Sequence, residues 1–561
     1  MENKGKKFNW IKSILINLAI AAFMLLFTHM IYETNDDFVI SSRIADGYPE
    51  VYFINYCYCL ILTKLQTLLP LWNMHVVVQI VLSFVSFVCI LKLILDNSRS
   101  KIISVAATAV LFFFSIDQYT TVQFTKTAAL ITTAGALLLI DALIKSRNLF
   151  YYTMGFILFF VGACLRIEGV VVPFGFAGIY AIAWMIDNRR DLKDFLRSKL
   201  IITLLVIFAL AGGSAALHFS SVIANSRTPE LKRYVEYNDL RSAVIDYSRL
   251  DYYDEQKSEY EKAGFSNSDI KLIRAWMFDY DGAASADNLK KIIEISDGAD
   301  KDAMTAKIAV RKFVRDSYKN ARAFTPMGVH IIALVLLGIW LLLAGKWSTR
   351  FFVLLTAAAV VVLHVYLYYI ERPAYRAFYV PDICAAVFML YALSGLGELP
   401  KWKVAPGIAV ALMMIVMLVP VYKDSLTVFH KAEKRIMSEE FTNYLKDNKD
   451  TFYVVATREK KINPSYLTPW KAPDTSIDAN CMGTGSWGTL SPYMLDKMVD
   501  YGMQNPIKDL IDNDKARYVG NKNIKALTEY YNKWYGGSGK TIRLIEDGKV
   551  NGLQVWAVKS N

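Results

Sequence analysis

Apolar residues along this chain run together instead of alternating with polar ones. About 20 apolar residues cross a bilayer core as a helix. Such stretches recur at roughly 13–31, 73–95, 102–116, 127–144, 149–165, 168–186, 200–220, 328–345, 351–370, 381–397 and 404–422, so about eleven helical spans are expected. The stretch 51–70 is apolar too, but it carries Asn55, Lys64, Gln66 and Pro70. That mixture predicts an interfacial helix pair outside the bilayer centre.

Two polar pieces interrupt this plan. Residues 221–327 read as helical: Ser266-Asn267-Ser268-Asp269 forms a capping-box start, followed by the apolar stripe Ile270, Leu272, Ile273 and Trp276. Residues 423–561 read as α/β. Phe452 to Ala456 and Tyr518-Val519 are strand candidates, and Thr541–Ile545 and Leu553–Val558 suggest a closing hairpin with its turn at Asp547-Gly548. The expected fold is an α-helical polytopic membrane protein with a helical outer insertion and a small α/β C-terminal extracytoplasmic domain. Its parts are a transmembrane module over 1–220 with an acidic first outer loop, the insertion over 221–327, a second transmembrane module over 328–422, and the α/β domain over 423–561.

Charge fixes the expected orientation. The 561 residues are 54% hydrophobic and only 20% charged, which excludes a disordered chain, and six Cys exclude a disulfide scaffold. The net charge of +12 would suggest nucleic acid in a soluble protein. Among the short segments that join the spans, bases concentrate in one set, including Lys4, Lys6, Lys7, Lys145, Arg147, Arg189, Arg190, Lys346 and Arg350, while the other set holds few: Arg43, Lys126, Arg166, Arg372 and Arg376. That other set is acid-rich, with Glu33, Asp36, Asp37, Asp46 and Glu50 in its first loop. This is the positive-inside pattern. It places the chain in the cell membrane with its N-terminus cytoplasmic and its C-terminus extracytoplasmic, and no nucleic-acid partner is expected. Thr28 to Tyr32 after the first span is too bulky for a cleavage site, so that span is expected to remain as an anchor.

The candidate chemistry lies at the outer ends of the spans. Asn35-Asp36-Asp37 follows the first span; an ionised Asp accepts a proton, and two neighbouring carboxylates can share a cation. Taken alone, the pair also reads as solvated acids at a helix end. The second outer loop, Ile116 to Lys126, adds Asp117 and Lys126, and the next outer turn adds Arg166 and Glu168, which could simply pair with each other. The loop Glu371 to Asp382 holds Glu371, Arg372, Tyr375 and Arg376; two guanidiniums four residues apart suit an anion, while Tyr and Arg there also serve as interface anchors. Other signals fail. Gly536 to Thr541 imitates a phosphate loop but has Trp534 where its first Gly is required. The Cys and His residues lack metal-ligand spacing.

This layout resembles the GT-C class of membrane glycosyltransferases. The resemblance rests on the acidic Asn35-Asp36-Asp37 after span one, on the isolated outer charges Asp117, Lys126 and Arg166, and on the loop Arg372 to Pro381. It covers the plan of roughly residues 1–425 and assigns no subfamily. It implies a polyprenyl-phosphate-sugar donor and a glycan, lipid or protein acceptor, with inversion at the anomeric carbon and no nucleotide. By the same resemblance Asp36 or Asp37 would be the base on the acceptor hydroxyl. Arg376, with Arg372, Lys126 or Arg166, would hold the donor phosphate. Glu168, Glu371 and Tyr375 are further site candidates, and a divalent cation, if used, would fall to Asp36, Asp37 and Asp117. The competing expectations are a polysaccharide polymerase or ligase, a transporter or flippase, and a non-catalytic scaffold.

Overall fold

The computed structural model describes residues 2–247, 249–297, 305–397, 401–537 and 539–561. Among them ten helices are long and apolar enough to cross a bilayer: Phe8–Phe27, Met74–Asn97, Lys101–Thr120, Phe124–Lys145, Ile167–Asp187, Leu192–Asn225, Pro326–Ala344, Trp347–Tyr369, Tyr375–Ser394 and Val404–Glu433. An eleventh apolar helix, Leu149–Leu165, has 17 residues and is shorter than that length. By length and composition the chain is a multi-pass membrane protein. The stretch 51–70 forms one 13-residue helix, Tyr56–Leu68, where a pair was expected; the Asn55 side chain caps it by accepting from the Cys57 N–H.

Close packing builds the centre of the helical body. In lipid, helices associate through surface fit and small residues more than through water exclusion. Phe124–Lys145 and Leu149–Leu165 cross tightly through glycines. A Cβ added at Gly135 would lie 2.6 Å from the Gly155 carbonyl oxygen, and one at Gly162 would lie 2.9 Å from that of Ala128. Phe124–Lys145 and Tyr375–Ser394 are the most enclosed spans, each 89% buried over its apolar window. These two central helices carry Lys126 and Arg376.

The charged loops predicted at 116–126 and 371–382 are mostly helix. Lys101–Thr120 continues past Asp117, and the next helix starts at Phe124, which leaves only a short connection. The late span begins at Tyr375 and keeps Pro381 inside it. Pro removes one backbone donor, a loss that packed neighbouring helices accommodate in a membrane protein. Asp117, Lys126, Tyr375 and Arg376 therefore sit on helix ends, where their backbone is fixed.

Two short parallel strands, β1 (Ile31–Tyr32) and β2 (Thr121–Val122), tie the chain before the acid pair to the segment after Asp117. At two residues each they are too short for any alternating pattern to show. The C-terminal region contributes β3 (Phe452–Val455), β4 (Cys481–Gly483), β5 (Ala516–Val519), β6 (Ile542–Val550) and β7 (Leu553–Ser560) in the order β4-β3-β5-β7-β6. β3 is parallel to β4 and β5, and β7 is antiparallel to β5 and β6. The expected strands and hairpin are present and β4 is additional, but the hairpin turns at Asn551-Gly552; the expected turn residues Asp547-Gly548 lie inside β6, at a bulge that keeps the pairing going.

The helical insertion packs directly on this sheet. Tyr237, Val244, Ile273 and Phe278 share one buried cluster with Val454, Met482, Leu527 and Tyr531. The helix predicted after Ser266 forms as Asn267–Arg274 with its reciprocal capping box, and it buries Ile270, Leu272 and Ile273.

Candidate functional site

The helix Asn35–Ala45 carries both acids in its first turn. A helix N-terminus favours negative charge there. Successive helical residues point about 100° apart, so the two carboxylates face different surroundings. Asp37 is fully buried. Its Oδ1 lies 3.0 Å from His75 Nε2 and accepts from Gln79 Nε2 at 3.2 Å and from the Phe124 N–H at 3.1 Å. These partners lie on the spans Met74–Asn97 and Phe124–Lys145, so Asp37 pins the acid helix onto both. Asp36 is only half-buried. Its Oδ2 accepts from Thr34 Oγ1 at 3.3 Å, and its Oδ1 accepts from the indole N–H of Trp487 at 3.1 Å.

Trp487 belongs to the C-terminal domain and was not foreseen, because nothing local in the sequence links it to residue 36. Its loop is held from both sides. Arg43, on the acid helix, donates to Ser491 Oγ at 2.6 Å and to the Glu50 carbonyl at 2.8 Å, and its guanidinium lies 4.5 Å from the Trp487 ring centre. Tyr234 of the insertion donates to the Trp487 carbonyl at 2.6 Å. The indole also meets Phe53 edge-on at 4.9 Å, and Phe53 stacks on Phe124 at 5.3 Å. This aromatic row reaches Arg166, whose guanidinium lies 5.7 Å from the Phe124 ring centre.

Lys126 is fully buried between two carboxylates, 2.8 Å from Glu33 Oε2 and 3.1 Å from Asp117 Oδ2, and it donates to Thr121 Oγ1 at 2.9 Å. The β1–β2 pairing sets this up, because the Glu33 N–H extends it to the Val122 carbonyl at 3.1 Å. The rings of Tyr375 and Tyr379 cover the ammonium at 5.5 and 5.8 Å. Two carboxylates therefore already face the single Lys126 charge. Glu33 was visible as one of the first-loop acids, but its role depends on strand pairing that its neighbours do not reveal.

The remaining candidates divide. Arg376 is half-buried and makes no hydrogen bond or ion pair among the described residues, yet its charge acts on both Asp36 and Glu33. Arg372 turns outward and donates to the Tyr247 hydroxyl at 3.1 Å. Arg166 pairs with the exposed Glu168 at 3.0 Å. Glu371 occupies the turn before the late span with φ +57°. The structure thus brings Asp36, Glu33, Lys126, Asp117, Tyr375 and Arg376 together at one end of the bundle and leaves Arg372 and Glu168 at its rim.

Burial holds the Asp36 carboxyl above the ordinary aspartate range. The Arg376 charge pulls it back, Asp37 pushes it up, and the bonds from Trp487 and Thr34 favour the ionised form. Burial likewise raises Glu33, against the pull of Lys126. Among the described residues no three His, Cys, Asp or Glu side chains are grouped to hold a metal ion. Of the acids named for a cation, Asp37 is committed to His75, Gln79 and Phe124, and Asp117 to Lys126.

The opposite end of the bundle holds a separate ionic cluster. Lys92 pairs with Asp96 at 2.8 Å, Arg147 bridges Asp96 and Asp141 at 3.3 and 2.7 Å, and Tyr391 donates to Asp141 at 2.6 Å. No family model, curated protein or solved structure matches this chain.

Proposed function

We propose that this protein is an inverting membrane glycosyltransferase of the GT-C type. It would move a sugar from a polyprenyl-phosphate donor to an acceptor hydroxyl on the outer face of the membrane, in modification of cell-envelope glycan or glycopolymer. The observation that carries the proposal is the pair Asp36 and Arg376. A half-buried carboxylate with a raised pKa and a guanidinium without an ion pair among the described residues act on each other at one end of the bundle. A base whose pKa approaches the working pH accepts protons more effectively. An Arg unmatched by a carboxylate is available to phosphate.

The step balances on these groups. Asp36 takes the proton from the acceptor hydroxyl as that oxygen forms a bond to the anomeric carbon. The bond from that carbon to the phosphate oxygen breaks, and the lipid phosphate leaves with the electron pair, stabilised by Arg376. Displacement from the opposite side inverts the anomeric centre. Trp487 holds Asp36 in place and Asp37 anchors the helix beneath it. Orientation is supported by the bases Lys145, Arg147, Lys199 and Lys346, which lie at the end away from Asp36. There Lys145 meets Asp141, Lys199 meets Ser146, and Lys346 meets Asp187.

The test is transfer from a labelled polyprenyl-phosphate sugar in membranes, with Asp36→Asn and Arg376→Ala at matched expression. Both variants should lose activity, by about 10²-fold or more. Wild-type transfer by both would sink the mechanism. A transporter is the second reading, and one observation favours it. His364 and Asp382 lie 3.1 Å apart, both enclosed within spans, and ionisable pairs in that setting mark ion or solute paths. That reading requires solute flux without sugar transfer, lost in Asp382→Asn.

A further inference from the structure

The helix Ala306–Ala323 presents three faces. One faces the protein: Ala309 packs with Met327 and Tyr368, and Phe313 meets His364 edge-on at 5.6 Å. The next holds Val310, Val314 and Tyr318, spaced four apart and 45%, 57% and 65% exposed. The third carries a basic row, Lys307, Arg311, Arg315, Lys319 and Arg322, all exposed. Six bases stand against one acid in this helix, and that acid, Asp316, pairs with Arg315 at 2.8 Å.

A helix on a water-facing surface needs two faces, one apolar toward the protein and one polar. A separate apolar stripe exposed beside a basic row is the pattern of a helix lying in a membrane interface. Its position agrees. Met327 opens the span Pro326–Ala344 and Tyr368 closes the span Trp347–Tyr369, so the helix crosses the ends of both. It is fixed there, because a Cβ at Gly328 would fall 2.1 Å from the Asn320 carbonyl oxygen. This is the Asp36 end of the bundle, since Pro326 and Val329 line a small cavity with Asp117 and Thr121.

We propose that Ala306–Ala323 lies flat in the lipid interface, with Val310, Val314 and Tyr318 among acyl chains and its basic row on the phosphates of anionic lipids. The occupant is the lipid surface because the helix joins a span directly and its charge complements phosphate. Free phosphate would account for the bases but not for the apolar stripe.

The test places a nitroxide on the full-length protein in nanodiscs of phosphatidylcholine with and without phosphatidylglycerol, using Val314→Cys and Lys319→Cys in a Cys57→Ser background. The label at position 314 should show a ratio of oxygen to nickel-chelate accessibility several-fold above that at position 319. Equal, high chelate access at both positions would overturn the proposal and indicate a surface for a soluble partner. Replacing Lys307, Arg311 and Arg322 together by Gln should lower retention of spin-labelled phosphatidylglycerol, relative to phosphatidylcholine, several-fold at unchanged melting temperature. Unchanged lipid selectivity would remove the anionic-lipid part of the proposal.

Discussion

Trp487 donates its indole N–H to Asp36 Oδ1 at 3.1 Å across a sequence separation of 451 residues. The bond joins the C-terminal domain to the acid proposed as the base, and it favours the ionised carboxylate. Trp487→Phe removes the donor and keeps an aromatic ring against Phe53 and Arg43. Losing a hydrogen bond to a charged group costs about 1.5–3 kcal/mol, and one pKa unit corresponds to about 1.36 kcal/mol. A base works only when deprotonated, so activity falls as pH drops through its pKa. That pKa is already raised by burial and rises further in the variant. The acid limb of the transfer-versus-pH profile should therefore move up by roughly one unit or more, with the alkaline limb in place. An unmoved acid limb would remove Trp487 from the site.

Asp36 and Asp37 should separate cleanly by experiment. Asp36→Asn changes a half-buried group and should lose transfer while melting like wild type. Asp37→Asn puts an amide where His75, Gln79 and the Phe124 N–H all converge on a carboxylate. A mispaired buried polar group costs about 1–3 kcal/mol. The variant should melt earlier in detergent, and its transfer should fall in step with the folded fraction. Thermal unfolding and transfer measured on the same preparations check both outcomes.

Much of the fold was legible in the sequence and less of the site was. A span is a one-dimensional signal, because its length and apolarity are set by the bilayer, and so the positions of the apolar helices could be read directly. The Ser266 capping box and the closing hairpin are also local. The choice between Asp36 and Asp37 is not, because it depends on His75, Gln79 and Phe124 packing against one side of a helix. Glu33 and Trp487 enter through a strand pairing and a domain contact, both distant in sequence. Arg376 falls in the charged stretch 371–382 that reads as a loop, and the helix instead starts at Tyr375 and keeps Pro381 inside it.

Lys126 should be essential for folding before it is essential for chemistry. Lys126→Met leaves Glu33 and Asp117 facing each other without a cation, and breaking a buried ion pair from one side costs about 3–5 kcal/mol. Glu33 already has a raised pKa in the folded protein. In the variant the folded state would hold its proton more tightly than the unfolded state, so stability falls as pH rises above the unfolded value. The loss in melting temperature should grow from mildly acidic to mildly alkaline pH. Adding Glu33→Gln should recover part of it. A pH-independent loss, or no recovery, would show that Lys126 acts mainly through packing.

The insertion and the C-terminal sheet should fold only together. Asp279, buried in the insertion, accepts from Tyr530 and Tyr535 of the C-terminal region, each at 2.7 Å. The Phe278 N–H donates to the Thr484 carbonyl at 3.0 Å, and a Cβ at Gly485 would fall 2.0 Å from the Trp276 carbonyl oxygen. Without the insertion, Val454, Met482 and Tyr531 lose apolar cover, and the two tyrosine hydroxyls lose a buried acceptor. Residues 434–561 made alone should be poorly soluble and bind a hydrophobic dye, while the same piece joined to 229–297 should unfold cooperatively. The coupling extends to the site, because Tyr234 of the insertion holds the Trp487 carbonyl at 2.6 Å. Tyr234→Phe should therefore loosen the 485–491 loop and raise its backbone hydrogen-exchange rate, with a smaller change at the distant hairpin β6–β7. Uniform exchange across both regions would mean that the insertion supports the domain without positioning Trp487.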